Sequence, residues 1–184
     1  MEEIQPIVLV GGRSTRFGRD KLREPVGGGW MVDRPIAALR AVFGSIVASV
    51  GACDPGVAAR ADRVIEDHHP GAGPIGGIVS ALEVCPAVFV CAGDMPGVTP
   101  DGVRVVLAHA SRHPEAWAVL ARTDRLEPCF GLYRPSALAA LAARLGSGSG
   151  RLHDALPAER VAAVDIASTL VANVNAPGDL PPTE

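Results

Sequence analysis

Between Arg13 and Arg23 the chain carries five cations, Arg13, Arg16, Arg19, Lys21 and Arg23, against one acid, Asp20. They follow a short apolar run and two glycines in the stretch LVGGRSTRFGRDK, residues 9–21. In a chain of net charge −3, such crowding repels itself unless an anion sits in the loop. The residue types suit a polyphosphate. Gly11 and Gly12 let backbone N–H groups approach phosphate oxygens closely, and Ser14 and Thr15 add hydroxyl donors. Arg16 and Lys21 supply charge-assisted hydrogen bonds. The spacing is not a Walker A loop, because five residues separate Gly12 from Gly18 and Lys21 does not directly follow Gly18. It is not GxGxxG either, which ranks a dehydrogenase last. The bland alternative is a basic surface turn after a strand.

Other groups with chemistry lie further along. Asp94, in GDMPG after the apolar run AVFVCA, suits a hard cation such as Mg2+, although Gly-Asp-x-Pro is also ordinary turn chemistry. Asp67, in EDHHPGAGP, is either a nucleotide ligand or part of a solvated loop, and His68–His69 reads as an exposed pair. Gly76–Gly77 allows a helix N-terminus to approach an anion, or a helix to pack tightly on a strand. Asn173 and Asn175 fall on opposite faces if extended, so at most one of them faces a site. Arg151, after GSGSG, is a candidate for an acceptor phosphate or a plain surface arginine. The cysteines Cys53, Cys85, Cys91 and Cys129 form no CxxC pair and read as reduced, mostly buried thiols.

The elements that must position these groups alternate between strand and helix. Strands are expected at 7–10, 45–50, 62–66, 87–92 and 161–166, with 116–121 and 129–133 flanking the polar RTDRLEP, which makes either a hairpin or a connection between neighbouring strands. Helices are expected after Asp33 as a cap, from Pro74, from Thr99-Pro100 to about His113, over 135–145, and briefly at 151–156. GSGSG reads as a mobile loop and PPTE as a frayed tail. This pattern predicts a single domain over 1–184, an α/β three-layer α/β/α sandwich with a mainly parallel sheet. Ligands of such sheets bind beyond the carboxyl ends of the strands, where the first loop, Glu66-Asp67 and GDMPG converge, with the late NVN stretch a further candidate. With only 4% aromatic residues, the core must be built from aliphatic side chains. The weak net charge gives no general reason to expect nucleic acid or an anionic membrane as partner. The acidic start MEEIQPIVLV lacks the regions of a signal peptide, and no apolar run reaches the roughly 18–20 residues of a membrane span, so a cytoplasmic location is expected.

LVGGRSTRFGRDK resembles the LAGGxSxRMGxDK signature of nucleotidyltransferases related to molybdenum cofactor guanylyltransferase (MobA-like), and GPIGGIVSAL, VFVCAGDMP and NVNAPGDL resemble that family's later blocks in the same order. The resemblance spans residues 7–180. It implies a Rossmann-like nucleotidyltransferase fold and Mg2+-dependent transfer of GMP from GTP to the terminal phosphate of molybdopterin, releasing pyrophosphate. It implies backbone contacts to the nucleotide from Leu9, Val10 and Gly11, with Gly12 beside them. By the same match, Lys21 binds phosphates, Asp67 contacts the nucleoside, Asp94 holds Mg2+, and Asn175 borders the acceptor. Lys21 and Arg16 would stabilise the leaving pyrophosphate.

Three departures stand out. Val10 replaces the signature's Ala; GGGWMVDRP (27–35) replaces a short turn; and Ser49 stands near where guanine-using relatives carry Asn. A hydroxyl cannot repeat an amide's paired donor and acceptor, so base selectivity is the open point. The alternatives are a cytidylyltransferase, or another nucleotidyltransferase on a related phosphorylated acceptor, and a non-catalytic nucleotide-binding accessory protein. A labile pterin also implies contacts with delivery or acceptor proteins.

Overall fold

A computed structural model describes residues 3–11, 20–51, 54–148 and 151–179. Gly12 and Arg16, expected to serve the phosphates, and Cys53 lie outside the described residues. The elements in chain order are β1 (Gln5–Val10), β2 (Pro25–Val26), β3 (Gly29–Trp30), α1 (Asp33–Phe43), β4 (Val47–Val50), α2 (Pro55–Ala58), β5 (Arg63–Glu66) and α3 (Pro74–Leu82). There follow β6 (Val88–Ala92), α4 (Pro100–Ala110), β7 (Ala118–Arg122), β8 (Leu126–Tyr133), α5 (Leu138–Gly146), β9 (Val161–Asp165) and α6 (Ser168–Val171).

Seven strands form one sheet in the order β5-β4-β1-β6-β8-β7-β9. Strand β8 runs antiparallel to both neighbours, and the other pairings are parallel. The central strands are buried on both faces because their side chains alternate between two cores. Val8, Phe89 and Cys91 join the layer of α1 and α4, where Phe89 meets Phe130 edge-on at 5.4 Å. Ile7, Val88 and Val90 join the opposite layer, under α3 and α5. The sandwich is therefore three layers about a mainly parallel sheet, with helices on both faces.

Several boundaries differ from expectation. Asp33 does not cap α1; it is the first helical residue, and its carboxylate accepts from the Trp30 N–H at 2.8 Å. Helix α4 stops at Ala110, short of His113, where Pro114 disfavours helical backbone in any case. Residues 151–156 form turns instead of a short helix. The 27–35 segment supplies the turn and second strand of the β2–β3 hairpin and then enters α1, with Gly27 and Gly28 at φ 58° and 82° in the two-residue turn. Among the described residues, no helix is long and apolar enough to cross a membrane.

Candidate active site

The parallel strands all end on one edge, and the singled-out residues gather there. Beyond β1 stands Gly11, beyond β4 Gly51, and beyond β5 Asp67. These three touch in sequence: a Cβ on Gly11 would come within 3.2 Å of the Gly51 nitrogen, and one on Gly51 within 3.6 Å of Asp67 Oδ2. Asp67 is oriented locally. Its N–H donates to the Val50 carbonyl at 2.9 Å, and its Oδ1 accepts from the His69 N–H at 2.8 Å. Ser80 Oγ accepts from the His68 N–H at 3.0 Å and so ties the same loop to α3.

Beyond β6 lies Asp94, and here the fold joins distant parts of the chain. Lys21 Nζ donates to Asp94 Oδ2 at 2.5 Å and to the Val174 carbonyl at 3.1 Å. The Val174 N–H donates to the Asp94 carbonyl at 3.0 Å, so the 173–175 segment lies across the pair. Lys21 begins a single 3-10 turn, Lys21–Arg23, capped by Asp20 and anchored through buried Leu22. Val174 is itself buried against Val26 and Met31. The hairpin that departs from the family pattern thus supports the segment that closes over Lys21.

Three other positions behave as follows. The Leu9 carbonyl accepts from the Gly93 N–H at 3.0 Å and serves the sheet, whereas Gly11 lies exposed past the strand end. Ser49 is 3% exposed and its hydroxyl donates to the Gly77 carbonyl at 3.3 Å. Ser49, expected near the nucleotide, thus has its hydroxyl turned into the contact between β4 and α3. Gly76 and Gly77 serve close packing, for a Cβ on Gly77 would lie 2.7 Å from Ser49 Oγ.

At the late block, Asn175 is exposed and its N–H donates to Asp179 Oδ2 at 2.9 Å. Asn173 points inward, with a buried Oδ1 that has no hydrogen-bond partner among the described residues. Arg151 is exposed. Sequence reasoning missed the Val174 carbonyl altogether, since a backbone oxygen leaves no signal in residue type.

Two of the thiols lie close to Asp94 and are held in the protonated form. Burial, followed by the nearby Asp94 charge, raises the Cys91 thiol well above its ordinary range. Cys129 is pushed up to about 12 by burial first, then by Asp94 and Glu127. His68 pairs with Glu83 at 3.3 Å on the surface, away from Asp94. Among the described residues, no group of three or more His, Cys, Asp or Glu side chains is placed to hold a metal. A single hard carboxylate at a strand end nevertheless fits Mg2+, which takes few protein ligands and keeps water or phosphate for the rest. An open groove of about 400 Å³ between α3 and α5, lined by His69, Glu83 and Leu145 among others, includes neither Lys21 nor Asp94.

A mainly parallel sheet whose first loop returns a lysine to an aspartate beyond a central strand defines a nucleotidyltransferase fold. A structure titled molybdopterin-guanine dinucleotide biosynthesis protein A, from Archaeoglobus fulgidus, superposes with a TM-score of 0.77 at 25% identity, covering 95% of this chain and 94% of that one. The manganese complex of a Mycobacterium tuberculosis protein shares the fold at a TM-score of 0.65 and 19% identity, covering 96% and 95%. The chain belongs to the MobA-like NTP transferase domain family, matched over residues 6–161. A probable molybdenum cofactor guanylyltransferase of Pelotomaculum thermopropionicum is 32% identical to it, over 95% of this chain and 88% of the relative.

Proposed function

We propose that the chain is a single-domain molybdenum cofactor guanylyltransferase, transferring GMP from GTP to the terminal phosphate of molybdopterin. The observation that carries this reading is the meeting of Lys21 and Asp94 at the ligand edge, 2.5 Å apart in space and 73 residues apart in sequence. Asp67 and Asp94 stand three strands apart on that edge, roughly 14 Å at about 4.8 Å per strand, a span that suits an extended nucleoside with its phosphates.

In this reading Asp67 takes the nucleoside, and Gly11 and Gly12 lie under the phosphates. An oxygen of the acceptor phosphate attacks the α-phosphorus of GTP; that P–O bond forms as the bond to the β-phosphate oxygen breaks, and pyrophosphate leaves. Lys21 and Arg16 neutralise the charge on the leaving group. The acceptor phosphate is already anionic near neutral pH, so no side chain has to remove a proton. Asp94 would hold Mg2+, which would supply further neutralisation of phosphate charge. The manganese in the fold relative supports a metal role of this kind.

Calorimetry with GTP, CTP and ATP in Mg2+ tests the reading. GTP is expected to bind tightest, and Lys21→Ala to weaken it by at least about tenfold, the loss of one charge-assisted contact. Asp94→Ala is expected to remove the Mg2+ dependence. Preference for CTP would replace the donor, a result that the inward-turned Ser49 hydroxyl makes worth measuring. Binding without pyrophosphate release on adding molybdopterin would favour the accessory-protein reading.

A further inference from the structure

We propose that Lys21 is the resting counter-ion of Asp94 and gives up this carboxylate to a divalent cation only when nucleotide phosphates draw it away. Metal and nucleotide then bind as a coupled pair. The inference rests on the transferase reading and concerns the order in which that same site fills.

The geometry behind it is the hold on one ammonium, which two groups among the described residues share. Lys21 Nζ lies 2.5 Å from Asp94 Oδ2 and 3.1 Å from the Val174 carbonyl. Both side chains of the ion pair are largely shielded, at 19% and 17% exposure. An ammonium and a divalent cation side by side on one carboxylate in a shielded site repel strongly, so each weakens the other's hold on Asp94.

The two partners differ in their freedom to move. The Asp94 backbone is tied at the end of β6 through its carbonyl to Val174, whereas lysine carries its charge on a flexible four-carbon stem. The backbone of Lys21 stays in its turn because buried Leu22 anchors it, so the side chain alone can swing. A polyphosphate offers that ammonium another anion and at the same moment brings oxygen ligands for the cation. Without those oxygens Asp94 is a poor metal site, since no cluster of three or more metal-ligating side chains exists among the described residues.

The test is Mn2+ binding followed by electron paramagnetic resonance, on the full chain, without nucleotide and then with saturating GTP. Without nucleotide, Lys21→Met is expected to bind Mn2+ at least about tenfold more tightly than the wild type, within the usual range of coupling between sites. Arg23→Met, which removes the same charge two residues away, is expected to match the wild type. Adding Asp94→Asn to Lys21→Met is expected to abolish the gain. GTP is expected to raise Mn2+ affinity more in the wild type than in Lys21→Met. Lys21→Gln repeats the comparison should the Met variant fail to fold.

Equal Mn2+ affinity of wild type and Lys21→Met without nucleotide would overturn the proposal, as would a gain that survives Asp94→Asn. Failure of GTP to bind the wild type would instead count against the transferase reading, because the nucleotide-free comparison decides the exchange by itself.

Discussion

Removing either half of the Lys21–Asp94 pair should destabilise the protein by an amount that the geometry bounds. Unit charges about 4 Å apart attract by about 4 kcal/mol at an effective dielectric near 20 and by about 1 kcal/mol in water. Desolvation takes back part of this, so exposed pairs contribute about 0–1 kcal/mol, while breaking a buried pair costs about 3–5 kcal/mol. With side chains 19% and 17% exposed, this pair falls between those limits. Lys21→Met is expected to cost about 2 kcal/mol, because it strands the Asp94 carboxylate in a shielded position. Asp94→Asn is expected to cost less, about 1 kcal/mol, since Lys21 keeps the Val174 carbonyl as partner. The double variant should lose less than the sum, leaving a coupling of about 1–1.5 kcal/mol. Urea unfolding of the four proteins at pH 7, without nucleotide or metal, measures this cycle; for a chain of this size each kcal/mol corresponds to about 2–4 °C in Tm. Additivity of the two single losses within about 0.3 kcal/mol would refute the reasoning.

Two further outcomes follow from groups turned inward. Ser49→Ala is expected to cost about 1 kcal/mol of stability through the lost bond to the Gly77 carbonyl, and to leave the ranking of GTP, CTP and ATP unchanged in calorimetry; a changed ranking would mean that the hydroxyl reaches the base. The raised Cys129 pKa makes stability fall at high pH. Unfolded, this thiol ionises near pH 9, whereas folded it stays protonated to about 12, so its contribution is complete below pH 9 and is lost as pH rises toward 12. The slope from this thiol is about 1.4 kcal/mol per pH unit over that window, and Cys129→Ala should flatten the urea-midpoint profile there; an unchanged profile would show that the thiol is not held protonated.

What the sequence determined by itself was whatever depends on neighbours along the chain. Continuous apolar runs at 7–10 and 87–92 mark strands covered on both faces, and Pro74 and Thr99-Pro100 mark helix starts, because patterning and backbone chemistry act over a few residues. The strand-end positions of Asp67 and Asp94 followed from the same local reading. Local patterns allowed a hairpin of β7 and β8 but could not show that β8 inserts beside β6, nor that GGGW turns a hairpin whose floor packs on Val174. They could not assign the Ser49 hydroxyl to Gly77 in place of a ligand, because that choice depends on how closely α3 lies over β4. Only the tertiary structure brought the Lys21 ammonium to Asp94 and to a backbone carbonyl 153 residues away, because contacts between distant segments depend on how the sheet is assembled, and a carbonyl oxygen is the same at every residue.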